Sequence, residues 1–160
     1  MKLAQSLALI ITGSASFIIP FALASSFQVV SMFNNQSQLG GRFVALPSNN
    51  FNCEFFQGGM DGSGNVSFNG RVVEDGSLPA AFNVLPGLCG GSQQLDFYQT
   101  SGTRNFEVYV HEGSGVSQAT CYPDQANLTC SPNSPNSDSV RVFDQLICNS
   151  TTTGTICNSS

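Results

Sequence analysis

Apolar and polar residues alternate with a period of two along much of the chain, most clearly from Gln94 to Gly113, QLDFYQTSGTRNFEVYVHEG. Leu95 and Phe97 share one face with Phe106, Val108 and Val110. Asp96 and Tyr98 share the other with Glu107, Tyr109 and His111. Such alternation over β-branched and aromatic residues predicts half-buried strands. The polar connector around Gly102 joins them into a hairpin. Its inward face is core. Its outward face gathers the chain's one histidine, two of its three tyrosines and two carboxylates.

The same period predicts further strands over Phe27–Phe33, Arg42–Leu46, Ala80–Leu85, Ala119–Tyr122, Leu128–Ser131 and Ser139–Cys148. Pro47, which cannot donate to a ladder, ends the second. Phe51–Gln57 alternates Phe51, Cys53 and Phe55 on one side and reads as another strand. Val66 and Phe68 open one more, bent at Gly70 before Val72 and Val73. No stretch after the leader shows a helical period. The expectation is an all-β fold, an antiparallel β-sandwich or small barrel of about 8–10 short strands.

The first residues carry one charge, Lys2, then a long apolar run closing on Ala22-Leu23-Ala24. That layout predicts a signal peptide over 1–24, cleaved to leave one secreted domain, 25–160, with a loose C-terminal tail after about 148. Six cysteines in a secreted chain predict three disulfides. The spacing of eight residues recurs at Cys121/Cys130 and Cys148/Cys157, so the preferred pairing is sequential, with Cys53 to Cys89. No Cys-x2-Cys pair occurs, and one histidine is too few for a zinc site. Sequons at Asn35, Asn65, Asn127, Asn149 and Asn158 are glycan acceptors in such a chain.

Charge narrows the partners. Beyond the leader the cations are Arg42, Arg71, Arg104 and Arg141, against ten carboxylates. A sparse acidic surface does not gather phosphate backbones or anionic lipid, so nucleic acid and membrane are poor partners after cleavage. Asp61-Gly-Ser63-Gly-Asn65 begins like a calcium loop but has Val66 and Val72 where the later glycine and the closing glutamate belong, and reads as a turn. No cofactor or metal is expected. His111 lacks the Gly-x-Ser-x-Gly elbow of a serine hydrolase, and no catalytic residue is assigned.

The leader, the opening Phe27-x-Val-Val strand, the paired cysteines and the Ser/Thr/Asn-rich loops together resemble small secreted cysteine-containing fungal proteins of the cell wall and apoplast, the effector-like or allergen-like β-sandwich group. The resemblance implies an extracellular glycoprotein, associated with the cell wall, with a non-enzymatic structural or interaction role. Its partners would be cell-wall polysaccharide or a host or cell-surface protein. Two alternatives use the hairpin's outer face. One is a carbohydrate-binding module with Asp96, Tyr98, Glu107, Tyr109 and His111 as contacts. The other is a small glycoside hydrolase with Asp96 and Glu107 as its carboxylate pair.

Overall fold

Strands form in all but one of the described segments where the alternation predicts them, and the last of them closes the sheet on the first. The computed structural model describes residues 26–34, 42–68, 78–131, 139–151 and 156–157. The leader, the sequons at Asn35 and Asn158, and the Gly70 bend with Val72 and Val73 lie outside the described residues. The strands are β1 (Ser26–Asn34), β2 (Arg42–Pro47), β3 (Gly64–Ser67), β4 (Ala81–Val84), β5 (Leu95–Gln99), β6 (Phe106–Val110), β7 (Ala119–Pro123), β8 (Asn127–Cys130) and β9 (Val140–Ser150).

All pairings are antiparallel, in the order β1-β2-β3-β4-β5-β6-β7-β9, and β9 returns to β1. The result is an eight-stranded closed barrel. β8 is the extra strand. One edge of β9 pairs with β1 along its length. The other pairs with β8 through Val140–Phe143 and with β7 through Leu146–Ser150. The β1–β9 register shifts between Val29 and Val30, which pair with Leu146 and Asp144. Gln145 is the extra residue of this bulge, and its Nε2 donates to Ser31 Oγ at 3.0 Å.

Neighbouring residues fall into different apolar clusters, so parts of the wall are buried on both faces. Phe27, Val29, Phe82, Phe97, Phe106, Val108 and Leu146 fill the interior. Phe82 and Phe97 stack there with ring centroids 4.5 Å apart. Val30, Val44, Leu46 and Val142 form a second cluster on the outside, under Phe56 and Cys130. Gly64 marks close packing: a Cβ there would lie 2.6 Å from Val84 Cγ1.

The cover over the second cluster corrects one expectation. Cys53–Gly58 is an α-helix, α1, not a strand. Asn52 caps it, its side chain accepting from the Phe55 amide at 3.0 Å, and Gly59 ends it at φ 112°. These start and stop signals outweigh three residues of apparent alternation. The turn buries Phe56 against the outer face of β1 and β2.

The sequential disulfide pairing is also corrected. The bridges are Cys53–Cys130, Cys89–Cys157 and Cys121–Cys148. β7 and β8 both pair with β9 but at different ends of it, so Cys130 stands opposite Val140 while Cys121 stands opposite Cys148. Cys53 belongs to the outer cluster and Cys89 packs against the inner one, so these two cannot meet. Cys53–Cys130 ties α1 to β8. Cys89 sits in a short 3-10 turn, Leu88–Gly90, and holds the chain at Cys157.

Asp144, beside the bulge, is 2 % exposed. Neither of its carboxylate oxygens has a hydrogen-bond partner of good geometry. Burial first, and then the nearby Asp124 carboxyl, push its pKa up to about 7; the Gln145 and Leu146 amides pull weakly the other way.

Peptide mapping without reduction will return fragments joined 53–130, 89–157 and 121–148. Replacing Cys121 and Cys148 together by alanine will cost about 2–4 kcal/mol in denaturant unfolding. The Asp144 pKa is raised on folding, so the folded state binds this proton more tightly than the unfolded one. Stability is therefore fully retained below the ordinary aspartate range and falls as pH rises through about 7. The melting temperature will drop between mildly acidic and mildly alkaline buffer, and Asp144→Asn will flatten that slope.

Candidate functional site

The β5–β6 register sets the geometry of the hairpin's outer face. Asp96 stands opposite Tyr109, and Tyr98 opposite Glu107. The inner residues Leu95, Phe97, Phe106 and Val108 are buried, as the alternation requires, and Val110 is half-buried. The connector is held by the Thr100 amide donating to Asn105 O at 2.9 Å, with Gly102 at φ 74°. The five predicted contact residues therefore share one surface.

They divide into two groups. At the open end of the hairpin, His111 Nδ1 lies 2.9 Å from Asp96 Oδ2 and 3.1 Å from Oδ1. Asn83 Nδ2 on β4 and Gln94 Nε2 also donate to Asp96 Oδ1. Asn83 faces Asp96 directly across the β4–β5 pair. Partial burial works against the Asp96 charge, but the bonds from His111, Asn83 and Gln94 outweigh it and hold the pKa below the ordinary range. The bond to Asp96, against some loss of hydration, raises the His111 pKa; the charges of Asp96 and Glu112 add to that. Nδ1 is thus committed, and Nε2 points outward, 4.0 Å from Glu112 Oε1.

Glu107 is engaged separately. Ser117 Oγ donates to its Oε2, and Thr120 Oγ1 on β7 donates to its Oε1 at 3.1 Å. Between the two networks lie the rings of Tyr98 and Tyr109, with centroids 6.0 Å apart and planes at 58°. Tyr98 is 51 % exposed.

Asn83, Gln94, Ser117 and Thr120 were not singled out from the sequence. Asn83 carries a signal, as the polar member of Phe82-Asn83-Val84, but the register that brings it to Asp96 is tertiary. Ser117 lies outside any strand, and nothing local points to it. Asn65, Asn127 and Asn149 are exposed, and Asn65 Oδ1 accepts from Arg42 Nη2 at 2.6 Å. Among the described residues no group of three or more His, Cys, Asp or Glu converges as a metal site, and no helix is long and apolar enough to cross a membrane.

In comparisons with known proteins the chain matches no family model, no curated protein and no solved structure.

A His–Asp pair on a rigid sheet can orient an imidazole and keep Nε2 available as a hydrogen-bond partner. The pair sets an oriented imidazole beside a charged carboxylate on this face. In an NMR titration the His111 imidazole will have a pKa above its usual 6.5, and Asp96→Asn will bring it back towards that value. The stabilisation from this pair is present at low pH, down to where Asp96 itself protonates, and is lost as pH rises through the folded His111 pKa.

Proposed function

We propose that the chain is a secreted, N-glycosylated barrel protein that acts by binding at the outer face of the β5–β6 hairpin, in the extracellular space or at the cell wall. The observation that carries this reading is the half-exposed Tyr98 beside Tyr109, framed by the Asp96–His111 and Glu107 networks on a rigid sheet. Aromatic rings beside satisfied hydrogen-bonding groups suit a ligand with both an apolar face and hydroxyls, and a sugar ring has both. Carbohydrate is therefore the ligand class we favour over a protein surface. Three disulfides and exposed sequon asparagines support the extracellular setting.

The hydrolase alternative has less behind it. Glycoside hydrolysis needs one carboxyl kept protonated as general acid. Asp96 is instead held charged by three donors, and both Glu107 oxygens already accept hydrogen bonds within the chain.

A glycan array tests the reading. The protein will bind a subset of polysaccharide fragments, and Tyr98→Ala will weaken that binding about tenfold, on the scale of one lost stacking contact. Its melting curve will stay close to that of the parent, because Tyr98 is a surface residue. Binding that survives Tyr98→Ala unchanged, or an array with no signal, removes the carbohydrate reading.

A further inference from the structure

Three sequon asparagines lie on described strands, Asn65 on β3, Asn127 on β8 and Asn149 on β9, and all three are exposed. Their cross-strand neighbours differ. Asn65 stands opposite Val44, and Asn149 opposite Ser26 and Thr120. Asn127, of Asn127-Leu-Thr129, stands opposite Phe143, which is 37 % exposed. The Asp144 amide donates to Ala126 O, so Ala126 and Asp144 form a hydrogen-bonded pair and Asn127 and Phe143 the next, non-hydrogen-bonded one. In such a pair the Cβ atoms are about 4.5–5.5 Å apart, and both side chains leave the same face of the sheet.

That face looks onto the barrel mouth. Gln145 is the extra residue of the bulge, so the side chains of β9 change sides there. Leu146 faces the interior, and before the bulge Phe143 continues on that side while Val142 joins the outer cluster. A depression of about 600 Å³ lies at the mouth, between the end of β1, the start of β6, the β7–β8 connector and β9. Phe33, Phe106 and Phe143 form its apolar wall, and Phe33 meets Phe143 edge-on at 5.7 Å. Arg104 and Gln125 bring exposed polar groups to it. Ala126, the residue before Asn127, also lines it, so the sequon asparagine sits at the rim. Exposed aromatic surface in a hollow marks a place that something covers.

We propose, building on the extracellular and N-glycosylated setting above, that Asn127 carries a glycan that folds back over the barrel mouth, its first sugar lying against Phe143 and Phe33. Modification joins Asn127 Nδ2 to the anomeric carbon of an N-acetylglucosamine. The donor is a lipid-linked diphosphate oligosaccharide: its anomeric C–O bond breaks, the lipid diphosphate leaves, and Nδ2 gives up one proton. The C–H face of the sugar ring removes aromatic surface from water. Its hydroxyls have Gln125 and Arg104 as polar neighbours at the rim. The covalent tether gives the sugar a high effective concentration beside Phe143, so a contact too weak to hold a free sugar is populated here. The tyrosine surface of β5 and β6 takes no part.

The full chain, secreted from a eukaryotic host, is examined by glycopeptide mass spectrometry and then by NMR. Asn127 will carry a glycan, and NOEs will join its first sugar to the rings of Phe143 and Phe33. Asn127→Gln and Thr129→Ala each destroy the acceptor motif. Both will lower the melting temperature by about 2–4 °C, the scale of one lost packing contact in a domain of this size. In a Phe143→Ala background, with the glycan still attached, the same two changes will not lower it further. An empty Asn127 beside an occupied Asn65 or Asn149 overturns the proposal and leaves the extracellular setting standing. Empty sequons throughout overturn both. A glycan at Asn127 without NOEs to Phe143, or the same melting loss with and without the Phe143 ring, also overturns the proposal. Mass spectrometry and the NOEs use the unaltered protein, so no variant has to fold.

Discussion

The pairing of β9 with β1 is the constraint on which the structure depends. It turns a meander into a closed barrel and removes the free edges that β1 and β9 would otherwise expose. It also makes β9 serve two masters on its other edge, first β8 and then β7. The bulge at Gln145 accommodates that change, and it sets Asp144 under the β7–β8 connector. A buried carboxyl behind the bulge is thus a consequence of how the sheet closes.

The disulfides follow from the same closure. Cys121–Cys148 spans the β7–β9 pair inside the barrel, Cys53–Cys130 fastens the outer cover, and Cys89–Cys157 holds the end of the chain. Each joins segments distant in sequence, so each restricts a long loop of the unfolded chain.

The β5–β6 hairpin carries two surfaces at its two ends. The open end holds a polar network, in which Asp96 is fixed by His111, Asn83 and Gln94, with the tyrosine pair alongside. The turn end leads to the apolar mouth with its acidic lining. The first is preorganised for contact, since its side chains are already oriented.

Alternation alone was enough to place the strands and the faces of the hairpin, because a period of two assigns each side chain to core or solvent without reference to other elements. Leu95, Phe97, Phe106 and Val108 went inward, and Asp96, Tyr98, Glu107, Tyr109 and His111 outward, as that period demands. The helix at Cys53 was legible only in its caps, Asn52 and Gly59, since a turn this short shows no period of its own. Tertiary structure decided which strands became neighbours, and hence the disulfide partners, the donors to Asp96 and Glu107, and the burial of Asp144. Those outcomes rest on contacts between residues far apart in the chain, and no local pattern encodes which distant edge a strand will meet.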